Sequence, residues 1–127
     1  MDIAMPERVL IFGDRNWQND ALVLAKLEDY RREHEIECVI EGEARGADIA
    51  GRFAAQVLGI DVLPFPAQWN KFGKAAGPIR NQQMLVEGKP TYGMGFHSDI
   101  EHSKGTKDMA NRLKNANIPF DIFTGLE

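Results

Sequence analysis

Apolar residues in this chain fall into short unbroken runs, separated by amphipathic stretches and glycine-bearing loops. The run Val9-Leu10-Ile11-Phe12, led by Arg8 and closed by Gly13, predicts a strand buried on both faces. Similar runs at 37–41, 60–65, 91–96 and 119–123 predict four more strands. The run at 91–96 is interrupted by Gly93 and Gly95, which mark a close approach by a neighbour. Between the runs the period changes from two to about 3.6. Residues 21–34 carry Leu22, Ala25, Leu27 and Tyr30 on a charged background, with Asn19 or Asp20 to cap. Residues 46–58 place Ile49, Phe53, Ala54, Val57 and Leu58 at helix spacing. A helix over 79–87 follows Gly77-Pro78, and another over 106–116 carries Met109, Leu113 and Ala116. Strand and helix alternate throughout, so the expected fold is α/β: a Rossmann-like three-layer sandwich around a mainly parallel five-stranded sheet. A short tail, 1–7, precedes a single domain, 8–127.

In such a sheet ligands bind beyond the carboxyl ends of the strands. The loops at 13–17, 42–48, 73–81 and 97–108 all follow predicted strands. The loop 42–48 joins a strand to a helix through Gly42 and Gly46, a junction that aims backbone amides and a positive helix end at one point. Arg45 adds a fork for an oxyanion, and Asp48 an acceptor for a sugar hydroxyl. The same residues also suit an ordinary turn, with glycine supplying positive φ and Arg45 pairing with Glu43 or Asp48. Arg80 and Asn81 stand in the first turn after Gly77-Pro78, and Gly105-Thr106, reached through Lys104, forms a second anion cradle or a plain capped helix start. Gly13, Asp14 and Arg15 complete the set, with Trp17 as a surface on which a base stacks and His97 at a strand end. Trp69 and Phe72 read as core or dimer contacts, and Lys74 as surface.

Composition narrows the chemistry. With 127 residues, 43% hydrophobic and 27% charged, the chain is long enough for one core. A net charge of −4 disfavours a nucleic-acid-coating surface. The single Cys38, inside an apolar run, is a core thiol; it supports neither a disulfide framework nor a cysteine zinc site. The loop 97–102 holds two histidines and two carboxylates but reads as a polar loop, so neither metal nor cofactor is expected. Met1-Asp2-Ile3-Ala4-Met5-Pro6 lacks the basic start and apolar core of a signal peptide, and no apolar run approaches the roughly 18 residues of a spanning helix. A cytoplasmic protein with no membrane partner is expected.

Gly13-Asp14-Arg15, the loop 42–48, Pro66-Ala67-Gln68-Trp69 with the block 73–84, and Lys104-Gly105-Thr106-Lys107-Asp108-Met109 together resemble the small bacterial and phage proteins of the SLOG superfamily, in the branch related to YspA and YpsA. The resemblance runs over about residues 8–123. It implies a Rossmann-like fold, a nucleotide or nucleotide-derived ligand that is bound or sensed, and a homodimer or higher homo-oligomer. The superfamily also contains DNA-processing proteins, ligand-sensing domains of antiphage systems and the lonely-guy phosphoribohydrolases. In those hydrolases a Pro-Gly-Gly-x-Gly-Thr-x-x-Glu loop carries the catalytic glutamate. Here Gly105-Thr106 matches, but Met109 stands at the glutamate position and 97–104 departs from the pattern. Arg80-Asn81-Gln82-Gln83-Met84 is similar to their Arg-Lys-x-x-Met, which makes Arg80 the counterpart of the catalytic arginine. The alternative expectation is therefore an N-glycosidic hydrolase of nucleotides, with Arg80 and Asp108 as its catalytic residues.

Overall fold

The computed structural model describes residues 5–126. The tail expected over 1–7 lies outside the described residues as far as residue 4, and Glu7 already belongs to the first strand. Five parallel strands form one sheet: β1 (Glu7–Gly13), β2 (Ile36–Glu41), β3 (Asp61–Pro64), β4 (Tyr92–Phe96) and β5 (Phe120–Phe123), in the order β3-β2-β1-β4-β5. α1 (Asp20–Glu33) and α2 (Ala47–Val57) cover one face; α4 (Ala76–Gly88) and α5 (Gly105–Asn115) cover the other, after a single-turn α3 (Trp69–Phe72). This is the expected Rossmann-like sandwich, with every pairing parallel.

β1 is continuous in apolar residues because it serves both layers. Val9 and Ile11 belong to the core under α1 and α2, and Leu10 and Phe12 to the core under α4 and α5. The glycines of β4 make room in the second core. A Cβ at Gly93 would stand 2.7 Å from Leu113 Cδ1, and one at Gly95 2.8 Å from the Phe12 ring. The close approach is thus by core side chains.

α2 departs from the expected packing. Its buried face is Ala47, Asp48, Ala50, Gly51, Ala54 and Ala55, whereas Phe53 and Val57 are exposed. The helix lies so close to the sheet that a Cβ at Gly51 would be 2.7 Å from Ile11 Cγ2, which leaves no room for larger inward side chains. The stretch 69–75, expected as loop, contains α3 and a 3-10 turn, Gly73–Ala75, and α4 begins at Ala76, three residues before the expected start. A second 3-10 turn, Ile100–His102, sits in the polar loop. Asn19 is the α1 cap, its side-chain oxygen accepting the Leu22 amide at 3.1 Å. Cys38 is buried and free, and its burial pushes the thiol pKa up. Among the described residues no helix is long and apolar enough to cross a membrane.

Candidate functional site

The chain runs outward from β1 to β3 and then returns across the sheet to β4, so β1 and β4 are neighbours at the reversal point. Above their carboxyl ends lies a cavity of about 670 Å³. The sequence-predicted residues Gly13, Asp14, Arg15, Asp48, Arg80, Asn81, His97, Lys104, Gly105, Thr106 and Asp108 all line it. They come from the end of β1, the first turn of α2, the start of α4, the end of β4 and the start of α5.

Four expected site residues stand elsewhere. Trp17 is only 8% exposed; its ring packs against Phe96 at 5.6 Å and its Nε1 donates to the Asn19 carbonyl. It is a core residue and offers no face to a base in the cavity. Arg45 lines not this cavity but the adjoining hollow beside Pro66 and Ala67, and donates to Asn16 Oδ1 at 3.3 Å. Gly42 and Gly46 shape the cavity without lining it. Gly46 has φ +79°, and a Cβ there would collide with the backbone of Asp14 and Arg15. Gly42 is needed for space, not for φ: a side chain would overlap the Arg80 guanidinium and come within 2.8 Å of Asp48 Oδ2. Next to it, Glu43 has positive φ as well, at +59°.

The 42–48 loop also uses its amides differently from the expectation. The Glu43 amide donates to Glu41 at 2.7 Å and the Ala44 amide to Asp48 at 3.3 Å, while Ala47 donates to the Asp14 carbonyl at 3.0 Å. The protein's own carboxylates already occupy this cradle. Glu43 in turn is clamped by Arg52, both oxygens at 2.9 Å from Nη1.

What remains for an anion is guanidinium charge and the α5 end. Arg80 donates through Nη1 to the Gly42 carbonyl at 2.6 Å and through Nε to Asn81 Oδ1 at 3.1 Å, which fixes its plane over the carboxyl end of β2. The guanidinium of Arg15 lies 5.2 Å from the centre of the Trp69 ring. Among the described residues neither arginine is within salt-bridge distance of a carboxylate. At α5, Ser103 Oγ accepts the Thr106 amide at 3.1 Å and Lys104 provides no side-chain cap. Lys74, expected as surface, lines the cavity too, and so does the half-exposed Trp69. Trp69, like Trp17, follows a strand by a few residues, but it opens the single turn α3 and Trp17 lies in an irregular loop.

The carboxylates of the cavity differ. Asp48 is 5% exposed, and burial pushes its pKa up to about 6 against the opposing pull of Arg80 and the Ala44 and Gly42 amides. Asp108 is held by Asn81 Nδ2 at 2.9 Å and Arg112 Nε at 2.8 Å, with Arg112 braced by Gln82 at 2.6 Å. Behind the site, Glu41 is fully buried and, among the described residues, its Oε2 has no hydrogen-bond partner. Burial first, and then the Glu43 carboxylate, push its pKa up to about 8. Sequence reading passed over Glu41 as a strand end. Met109 is 1% exposed and belongs to the core, so the position that carries the acid in the lonely-guy pattern does not face the cavity. At the rim, His97 Nδ1 accepts the Asp99 amide at 2.9 Å, and Asp99 pairs with His102 at 2.7 Å in full solvent.

This arrangement has relatives. The profile of YAcAr, the YspA and cpYpsA-related SLOG family, matches residues 7–72. The Gene 61 protein of Mycobacterium phage D29 is 35% identical over a 119-residue match that covers 88% of this chain and 92% of that protein. The chain belongs to the YAcAr family. Among solved structures, the DNA processing protein A (DprA) of Streptococcus pneumoniae is similar to the YAcAr chain with a TM-score of 0.68 at 14% identity. The similarity covers 92% of the YAcAr chain and 50% of DprA, so the fold it shows corresponds to half of that larger protein.

Proposed function

We propose that this YAcAr chain binds or senses a nucleotide or nucleotide-derived ligand in the cavity at the carboxyl edge of the sheet. The observation that carries the reading is the pair Arg15 and Arg80, two guanidiniums that line one cavity at a helix start and, among the described residues, stand within salt-bridge distance of no carboxylate, although Arg80 feels the charge of Asp48. In this reading they hold phosphate with the amides at the start of α5, Trp69 stacks on the base, and Asp14, Asp48 or Asp108 accepts from sugar hydroxyls. Calorimetric titration with nucleoside monophosphates and diphosphates tests it. Saturable binding that falls at least tenfold in Arg80→Ala is expected; heat-silent titrations with every nucleotide would sink the proposal.

The alternative is a nucleotide N-glycosidase, and one observation favours it: Asp48, with a pKa near 6, is placed in the cavity as a proton donor or acceptor. Asp108, braced by Asn81 and Arg112, is better suited to positioning than to proton transfer. Release of free base from a nucleoside monophosphate, lost in Asp48→Asn, identifies the enzyme, whereas binding without product leaves the sensor.

Self-association belongs to the same proposal. Phe53 and Val57 lie exposed one turn apart on α2, and a second copy would cover them. Sedimentation of the wild type and Phe53→Asp tests this, and an unchanged mass would exclude that face.

A further inference from the structure

Glu41 and Asp48 are buried carboxylates that, among the described residues, form no ion pair. Glu41 is sealed at the end of β2 with its Oε2 unpartnered among those residues, whereas Asp48 lines the cavity and meets solvent there. The charge of Arg80 acts on both, but its Nη1 is held by the Gly42 carbonyl at 2.6 Å. Arg80 Nη1 and Asp48 Oδ2 flank the same point, the place a Cβ on Gly42 would take. Arg15, in the loop after β1, also acts on Asp48. Glu43 acts on Glu41 and is itself clamped by Arg52 of α2, and β3 opposes Glu41 with the uncharged Pro64. Across the cavity stand Asp14, Lys74, His97, Lys104 and Asp108. Between about pH 6 and 8 the two buried carboxylates therefore hold one proton, on Glu41, and one negative charge, on Asp48. An anion docked on Arg80 and Arg15 cancels the charge that keeps Asp48 ionised and adds a like charge beside it. Both effects favour the protonated carboxyl.

We propose that an anion enters this cavity together with a proton: Asp48 takes one up from solvent as the anion docks on Arg80, while Glu41 keeps its own. The inference rests on the anion site of the reading above and adds its regulation, whatever the rest of the ligand is. One O–H bond forms, on the Asp48 carboxylate, and no other bond changes. Because binding consumes a proton, affinity falls as the pH rises. The first fall comes as Asp48 ionises, from about pH 6 upward. A second comes near pH 8, where Glu41 loses its proton and gives Arg80 another carboxylate to balance. Acidification therefore tightens the site, and the buried pair makes ligand occupancy a reading of pH.

Inorganic sulfate is the probe, since its own charge does not change between about pH 5.5 and 8.5. Amide resonance shifts at constant ionic strength give its Kd. The wild-type Kd is expected to rise about five- to tenfold between pH 5.5 and 7.5, as follows from a shift of roughly one pH unit in the Asp48 midpoint, and to rise again above pH 8. Asp48→Asn is expected to lose the lower step and Glu41→Gln the upper one. His97→Gln is the control, because histidine changes charge in the same range, and the lower step is expected to survive it. The Asp48 carboxyl carbon resonance reads the same event in the wild type, without any substitution: saturating sulfate is expected to move its titration midpoint upward. A Kd independent of pH, a lower step that persists in Asp48→Asn or vanishes in His97→Gln, or an Asp48 midpoint that sulfate leaves in place would overturn this inference while the anion site stands. Sulfate that shifts no cavity resonance at any pH would overturn both.

Discussion

Glu41 shows how much a single residue of this site costs. It is the last residue of β2, fully buried, with one carboxyl oxygen unpaired among the described residues and the carboxylates of Glu43 and Asp48 nearby. Its folded pKa of about 8 lies above the usual 4.5, so the folded state keeps a proton that the unfolded chain releases. Its contribution is therefore fully present below about pH 4.5 and declines as the pH rises toward 8. Asp48 adds the same sign between its usual 3.8 and about 6. Urea unfolding at pH 5 and pH 8 is expected to show a loss of roughly 3–5 kcal/mol, of which Glu41→Gln removes the larger part. A pH-independent difference between the two proteins would contradict this. Gly42 makes the opposite demand, for emptiness. Gly42→Ala drives a methyl into the Arg80 guanidinium and should weaken nucleotide binding at least tenfold, with a stability loss of about 1–3 kcal/mol. Unchanged affinity would show that Arg80 has somewhere else to go.

The helix ends decide the site at the next scale up. Ser103 is the only side chain among the described residues that accepts an amide at the start of α5, so Ser103→Ala is expected to cost about 1 kcal/mol in chemical unfolding. If the cap matters only to stability, nucleotide affinity will be untouched; tighter phosphate binding is expected, since one more amide becomes available. The elements themselves were largely legible. Unbroken runs such as Val9–Phe12 have one reading once helices flank them on both sides. What the pattern hid was the orientation of α2, because hydrophobicity alone sends Phe53 and Val57 inward, whereas the distance to Ile11 admits only alanine and glycine. The same blindness to distance put Trp17 beside the cavity, left Trp69, which lines it, among core or dimer contacts, and gave Arg45 the same standing as Arg15. Loop residues are placed by what the chain packs against, and that information is not local. The 42–48 cradle failed for a related reason: a strand-to-helix turn predicts free amides, but nothing in its residues tells that Glu41 and Asp48 reach back to take them.

At the scale of the whole molecule, one sheet ties both cores to β1, so unfolding is expected to be a single cooperative transition. The cavity draws on residues from β1, α2, α3, α4 and α5 and on the loop after β4, and a ligand bound there couples to global stability and not to one loop. A ligand at about one hundred times its Kd adds about 2.7 kcal/mol, or roughly 10 °C in Tm for a domain of this size. A shift of that order by differential scanning calorimetry, cut by about half or more in Arg80→Ala at the same ligand concentration, is the expected result. A ligand that binds without shifting Tm would have to bind the unfolded chain as well, or bind elsewhere.

The two tryptophans give the chain a built-in optical division of labour. Trp17 is sealed in the core at 8% exposure, and Trp69 stands at the cavity rim at 46%, with a guanidinium over its ring. Acrylamide should therefore quench one emitter and spare the other. In Trp69→Phe the remaining signal reports folding alone, and in Trp17→Phe it reports whatever enters the cavity.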